Sequence, residues 1–499
     1  MTKRSFLGII LVMEKLKKFL FGEQSLRQTL FKNSFWFTVS NAGSNVIKLI
    51  VVIYAARIIG AAQYGLFSYA MSVAGILGVV GDLGMSYLIT INLARRDENQ
   101  EYFSTLMILR LGLVASIVIF AIAVGPLITK FPDAIALIPF VALLIASDDI
   151  RGIFTNFARA ENRIDKEAFG HIIASILIAA FSIIGLAYSP TSYTLALTYF
   201  AGSALGTLAM FFVVRWDVKK VFRPLKFSFS LAKSILAVAI PFGLASIMWP
   251  IMTNTDALVI GWFRTASELG YYAAAQRPIA IVSLLPSILV VSSLTLIARL
   301  AKEGAKERLK NFIERLTTFS LAIILPLAAG GIIIAPSIIR FLYGTEYMPA
   351  ILSFQLLLVT LVISFPGNIV TNIVLAFKRT GVFTVAMILG ALGNFIFDIL
   401  LIPPFGIAGS VVATIVSLGI INCYMLYNVK KLQPFETLRF LPRIVIATIL
   451  MGLVTLALHL TSVNFVANII ISAAVYLGVL IVAREPLLKD LRELFRFQG

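Results

Sequence analysis

The feature that most constrains this chain is a series of apolar runs, each about as long as a bilayer is thick. A membrane-spanning helix needs roughly 20 mainly apolar residues. Fourteen runs meet that length, at approximately 34–56, 66–92, 106–129, 134–157, 169–188, 192–214, 235–262, 270–298, 312–339, 350–375, 381–402, 406–428, 441–460 and 464–483. The connections between them are short, so no soluble domain is inserted. Of the 499 residues, 59% are hydrophobic and 13% charged, against about 25% charged in soluble chains. The expected fold class is an all-α polytopic membrane protein with about 14 transmembrane helices. Lys3-Arg4 followed by Phe6 to Met13 imitates a signal peptide. The apolar run is short, however, and lacks a small-residue cleavage site. Residues 1–33 therefore read as a basic, partly amphipathic cytoplasmic segment.

The net charge of +18 would point to nucleic acid in a soluble protein. Here it sorts by side. The 1–33 segment, the 484–499 tail and every second connection together carry 33 of the 42 Lys and Arg residues. The opposite side carries four, Arg57, Lys130, Arg264 and Arg340, and five lie within spans. Basic residues collect on the cytoplasmic side of membrane proteins. Both termini are therefore expected in the cytoplasm and the chain in the plasma membrane, with no nucleic-acid partner. The lone cysteine, Cys423, excludes an internal disulfide, and two distant histidines, His171 and His459, give no metal site. Walker A, H-E-x-x-H and G-x-S-x-G signatures do not occur, so a transporter is expected rather than an enzyme, with no cofactor.

The chain resembles itself. Ala61-Ala-Gln-Tyr-Gly65 through Ala70 matches Ala266-Ser-Glu-Leu-Gly270 through Ala275. Thr155-Asn156 and Ala160 to Arg163 match Thr371-Asn372 and Ala376 to Arg379. The displacement spans six helices, an even number, so two parallel six-helix repeats are expected, related by an axis along the membrane normal. Such repeats often enclose a cavity and alternate its access. The expected organisation is 1–33 as the N-terminal segment, 34–228 and 229–428 as two lobes, 429–483 as two further C-terminal helices, and 484–499 as a tail.

Ionisable groups inside a membrane are costly and normally face a cavity or a partner. Asn41, Asn45 and Lys48 form one stripe on the first span, at i, i+4 and i+7. The seventh span carries Ser246, Trp249, Thr253, Asn254 and Asp256, interrupted by Pro241 and Pro250. Gln276 and Arg277 lie on the eighth, and Asn394 and Asp398 on the eleventh. The second span carries Asp82 among Gly75, Gly78, Gly81 and Gly84, a spacing that suits close packing. Asp148, Asp149 and Arg151 lie on the fourth span, where together with Arg110 and Arg315 they are expected to snorkel toward the cytoplasmic surface. Two readings compete for the others: a hydrated cavity that receives an anionic headgroup, or neutral pairing between helices, such as Asp256 with Arg277.

Several stretches then resemble a known family. They are Asn33-Ser-Phe-Trp36 with Ala55-Ala-Arg57-Ile-Ile-Gly60 through Ser68, Asp256 through Arg277, Leu342-Tyr-Gly344 through Ala350, and Asn394 through Thr414. In order and spacing they resemble the Wzx-type O-antigen flippases of the multidrug/oligosaccharidyl-lipid/polysaccharide exporter superfamily. That resemblance implies two six-helix lobes plus two helices around a cationic cavity. It also implies export of undecaprenyl-diphosphate-linked oligosaccharide repeat units to the outer leaflet, with coupling to H+ or Na+ proposed for the superfamily. The expected partners are a polyprenyl-diphosphate-linked glycan, the bilayer and polysaccharide polymerase machinery. Lys48 and Arg277 are the candidates for the diphosphate. Asn41, Asn45, Thr253, Asn254, Trp249 and Gln276 are candidates for the cavity wall, and Asp256, Asp82 and Asp398 for ion coupling or ion pairing. Within this reading Asp256 and Arg277 form a pair for which proton and substrate compete. Other readings are a drug-type cation antiporter, a lipid II flippase of the same superfamily, whose arginine-rich first helix is absent here, and a scaffold without transport.

Overall fold

The computed structural model describes residues 26–78, 82–94, 100–218, 226–283, 293–294, 296–436, 441–461 and 463–483. Among these residues the chain is helical throughout, with no strand. The helices are α1 (Leu26–Gly78), α2 (Met85–Ala94), α3 (Gln100–Ile128), α4 (Ile138–Ala160), α5 (Ile164–Tyr188), α6 (Ser192–Val218) and α7 (Phe229–Phe263). They continue with α8 (Ala266–Val282), α9 (Lys306–Tyr343), α10 (Ile351–Ala376), α11 (Thr380–Leu432), α12 (Leu441–Leu460) and α13 (Phe465–Val482). A one-turn helix, Pro132–Ile135, precedes α4, and a 3-10 turn, Thr345–Ala350, joins α9 to α10.

Nine helical segments among the described residues are long and apolar enough to cross a membrane. Two of them hold two crossings each. α1 is interrupted at Gly60 (φ 76°) and α11 at Gly406 (φ 63°), where the backbone enters the left-handed region that glycine adopts without a Cβ clash. α4 misses the apolar criterion because Asp148, Asp149, Arg151 and Arg159 all lie on it. The protein is a multi-pass, all-α membrane protein.

The second span contains a turn. Residues 79–81 lie outside the described residues; Asp82 to Gly84 form a turn in which Leu83 (φ 40°) and Gly84 (φ 79°) are left-handed, and α2 begins at Met85. Asp82 caps this start: its carboxylate accepts the Ser86 N–H at 3.1 Å and the Ser86 hydroxyl at 2.6 Å. A side-chain oxygen at a helix start satisfies an otherwise orphaned amide. Gly84, read from sequence as suiting close packing, supplies a left-handed residue of this turn.

The chain divides into two compact units. The first comprises 1–52, 77–128 and 135–247, and the second comprises 53–76, 129–134 and 248–499. The core of the first joins Met85, Ile89, Leu106, Phe157, Met210 and Ile235. Within it α5 and α6 approach closely, because a Cβ at Gly202 or Gly206 would overlap Ile178 or Ala174. The core of the second joins Ile313, Val370, Ile373, Ala386, Ile421 and Met425, with a smaller cluster of Ala447, Met451, Tyr476 and Leu480 under α12 and α13.

Candidate functional site

In the first unit, the polar stripe of α1 is only partly engaged. The Asn41 amide donates to the Phe37 carbonyl at 3.0 Å, and Asn45 donates to the Asn41 carbonyl at 2.8 Å. Both amides thus bond one turn back on their own helix. Lys48 is half-buried and interacts electrostatically with His171 of α5. His171 also lies 3.3 Å from the Thr155 hydroxyl.

The remaining charges of that unit form a compensated network. Arg110, 2% exposed, pairs with Asp82 at 2.8 Å and with Asp149 at 3.1 Å. Arg151, 5% exposed, pairs with Asp148 and donates to the Ser203 hydroxyl at 3.1 Å, while Ser203 donates to Asp148. This corrects the expectation of snorkelling for Arg110 and Arg151, which are enclosed, while Asp148 and Asp149 stay partly exposed. The turn before Met85 places Asp82 against Arg110. Asp82, a coupling candidate by sequence, acts here as a helix cap and an ion-pair partner.

The second unit holds a different kind of cluster. Asp256 of α7 is 4% exposed, while Asp398 and Asn394 on the first half of α11 are 0% and 1% exposed. Ser410 and Thr414, on the second half of α11 beyond the Gly406 break, complete the cluster. Tyr272 of α8 donates its hydroxyl to Asp256 Oδ2, and Thr414 donates to the same oxygen at 3.3 Å. Asp398 and Asn394 also interact with Asp256, and Ser410 with Asp398 and Tyr272. The two buried carboxyls therefore face each other, an amide and hydroxyls, and among the described residues no cationic side chain faces them. The donor set is carboxylate, amide carbonyl and hydroxyl, hard oxygens that suit a proton or an alkali cation. No group of three or more His, Cys, Asp or Glu residues gathers among the described residues, so ligation by several charged groups is not offered.

The pairing expected of Asp256 and Arg277 is not found. Asp256 faces α11 and Tyr272, whereas Arg277 donates from Nε to the Tyr64 hydroxyl at 3.3 Å. The two residues leave different faces of their helices. Gln276 donates instead to the Tyr272 hydroxyl at 2.8 Å. Thr253 and Asn254 donate to the Pro250 carbonyl at 3.2 and 2.8 Å. Gly75 lies against the Asn254 amide, where a Cβ would come within 3.2 Å of Oδ1. The side chain of Trp249 lies outside the described residues. Tyr272, Ser410 and Thr414 were not singled out from sequence as site residues. A signal existed, since Ser410 and Thr414 repeat the i, i+4 spacing of Asn394 and Asp398 across Gly406.

Beside Arg277 the surface changes character. Pro278 borders an apolar cavity of about 600 Å³. Phe319, Pro326, Phe354, Met451 and Leu477 also line it. Its few polar side chains are satisfied internally: Thr455 donates to Ser472 at 2.9 Å, and Tyr476 to the Ala322 carbonyl at 2.7 Å.

At several helix ends of the second unit, cationic side chains bond backbone carbonyls. Arg57 donates to the carbonyls of Phe341 and Leu342 at the end of α9. Lys130 donates to the Trp262 carbonyl at 2.7 Å, and Arg264 to those of Ile402 and Pro403. Cations at helix C-termini complement both the free carbonyls and the helix dipole. The Ala61 N–H donates to Glu346 at 2.7 Å, and Tyr347 donates to the Ala56 carbonyl at 2.9 Å. At the centre, any Cβ at Gly65 would overlap the Ala266 carbonyl, and one at Gly270 would overlap that of Ala61.

Comparison with known proteins agrees with this arrangement. Residues 30–297 match the model of the family described as polysaccharide biosynthesis protein. The chain is 22% identical over 392 residues to a probable low-salt glycan biosynthesis flippase, Agl15, of Haloferax volcanii, covering 78% of this chain and 81% of that protein. It is 23% identical over 366 residues to the lipopolysaccharide biosynthesis protein WzxC of Escherichia coli K12, covering 72% of each. Among solved structures, the lipid II flippase MurJ in an inward closed conformation superposes with a TM-score of 0.74 at 20% identity, over 90% of this chain and 99% of that one. An inward-facing MATE-family multidrug resistance transporter superposes with a TM-score of 0.63 at 15% identity, over 78% of this chain and 95% of that one. The match to the family model spans more than half the chain, and the chain belongs to the polysaccharide biosynthesis protein family.

Proposed function

We propose that this protein is a flippase that carries a polyprenyl-diphosphate-linked glycan from the cytoplasmic to the outer leaflet by alternating access. One observation carries the reading: on α8 the cationic Arg277 is followed directly by Pro278, which borders the apolar cavity. A long apolar tail and an anionic headgroup are the two halves of such a lipid, and these adjacent residues address one each. Charge-assisted bonds from a guanidinium to phosphate are the strong kind. Lys48, half-buried on α1, is the second diphosphate candidate. A relative named as a probable glycan biosynthesis flippase and another named as a lipopolysaccharide biosynthesis protein support the same substrate class. The glycan delivered outside would be the substrate of polymerase machinery.

The energy would come from a cation, H+ or Na+, exchanging at Asp256 and Asp398. That no cationic side chain faces them supports this assignment over Asp82, whose carboxylate is already paired with Arg110.

The test is translocation of a fluorescent lipid-linked oligosaccharide in proteoliposomes. Wild type should move it to the opposite leaflet. Lys48→Ala combined with Arg277→Ala should slow that movement at least about tenfold, the cost of roughly 1.4 kcal/mol of headgroup binding. A wild-type rate equal to that of empty vesicles overturns the flippase reading. A double variant at wild-type rate overturns the site alone.

A further inference from the structure

We propose that Tyr272 and Gln276 are positioning residues that carry the protonation state of the Asp256–Asp398 pair to the stretch of α8 that bears Arg277. The inference rests on the flippase reading above and deepens it. Three side chains form a continuous chain of hydrogen bonds: Gln276 Nε2 donates to the Tyr272 oxygen at 2.8 Å, and Tyr272 donates to Asp256 Oδ2. Tyr272 is 1% exposed and Asp256 4%, so no bulk water substitutes for either link.

Such a chain has a direction, and the direction is fixed by charge. A tyrosine hydroxyl has one proton to donate, and an ionised carboxylate can only accept. With Asp256 ionised, Tyr272 must donate to it, and its oxygen is left to accept an N–H from Gln276. Both contacts that this arrangement needs are present at the Tyr272 oxygen. A proton placed on Oδ2 turns that oxygen into a donor. Tyr272 then accepts from Asp256 and gives its own proton to Gln276. To accept it, the Gln276 amide turns its carbonyl toward Tyr272 and its NH2 to the opposite edge. The next residue is Arg277, held at 3.3 Å on the Tyr64 hydroxyl. A charge change at the cluster thus becomes a reversal of donor and acceptor beside the headgroup cation.

The groups facing Asp256 are Asp398 and Asn394 from the first half of α11, Ser410 and Thr414 from its second half, and Tyr272 from α8. None of them is a cation that would pin the carboxylate in its ionised form. The two carboxyls titrate as one unit, and the chain reverses in the step that puts a proton on the oxygen Tyr272 contacts. A sodium ion would leave that carboxylate an acceptor and the chain unreversed. The relay therefore commits the cluster to the proton.

The experiment measures affinity for farnesyl diphosphate, a short polyprenyl diphosphate, across a pH series, using the full chain in nanodiscs and tryptophan fluorescence. Farnesol and inorganic pyrophosphate serve as the tail and headgroup controls. Wild type should prefer farnesyl diphosphate to farnesol. Its affinity should differ about tenfold between the two protonation states of the pair, within the usual range of coupling between sites. Asp256→Asn removes the ionisable oxygen that Tyr272 contacts, and Asp256→Asn with Asp398→Asn defines the portion of the profile that belongs to the cluster. The probe's own titration is common to all variants and drops out. Tyr272→Phe, which deletes only the hydroxyl, should abolish that same portion, and so should Gln276→Leu at the other end of the chain. The same Tyr272 dependence with pyrophosphate would assign the effect to the phosphates alone and support the relay. Tyr272→Phe and Gln276→Leu retaining the wild-type profile would overturn it, as would coincident wild-type and Asp256→Asn profiles. Equal affinity for farnesol and farnesyl diphosphate in wild type would instead overturn the flippase reading on which the relay depends.

Discussion

Each unit gathers a set of carboxylates, and the two sets are treated in opposite ways. In the first, Asp82, Asp148 and Asp149 stay partly exposed and are answered by Arg110 and Arg151, both enclosed, and by the Ser203 hydroxyl. In the second, Asp256 and Asp398 are themselves buried and face each other, an amide and hydroxyls rather than a cationic side chain. Buried charge is tolerated when paired and otherwise demands a partner from elsewhere. The first set has its counter-charge built into the chain, beside the turn before α2. The second, under the function proposed above, takes its counter-charge from a mobile cation.

The comparison can be broken most sharply at Arg110. Arg110→Met removes two charge-assisted contacts whose carboxylates stay partly solvated and should cost about 2–3 kcal/mol. Loss of folded protein in a detergent thermal melt is the readout. Adding Asp82→Asn and Asp149→Asn to that variant should recover most of the loss, because removing a whole ion group is often nearly neutral. A smaller effect is expected at Ser203: Ser203→Ala removes the hydroxyl that accepts from Arg151 and donates to Asp148, while the Arg151–Asp148 pair remains, and should cost about 1.5 kcal/mol. The smallest structural effect belongs to the second unit. Asp398→Asn removes a carboxyl that no cationic side chain faces and keeps its size, so its melt should stay within about 1 kcal/mol of wild type or rise above it. Its transport should nonetheless cease to respond to an imposed proton gradient in proteoliposomes. If Asp398→Asn unfolds as Arg110→Met does, the contrast between the two sets is lost.

Sequence showed the crossings well because apolar length is a local property. Each span follows from counting residues against bilayer thickness, and even the two continuous helical runs part at glycines, Gly60 and Gly406. It also singled out Asp256, Asp398 and Arg277 as candidates, since charge in an apolar run is visible one residue at a time. Partners are not visible in that way. A shared depth by residue count suggested that Asp256 and Arg277 pair, but one side chain faces α11 and the other Tyr64. Arg110 lay near a helix end by count, and only the turn at Asp82–Gly84 shows which partner it meets. Tyr272 looked like one more aromatic in an apolar helix until its hydroxyl was seen to join Asp256 to Gln276.

The close crossing at Gly65 and Gly270 constrains how such a chain can change. Ala61 and Ala266 occupy the same place in the internal match, as do Gly65 and Gly270. In space Gly65 abuts Ala266 while Gly270 abuts Ala61. Residue i of one copy meets residue j of the other, and j meets i, which is the signature of an isologous contact between identical subunits. The two matching stretches thus keep the handshake of a homodimer within a single polypeptide. A larger side chain at either glycine would press on the backbone of the other copy, so neither half can drift here alone.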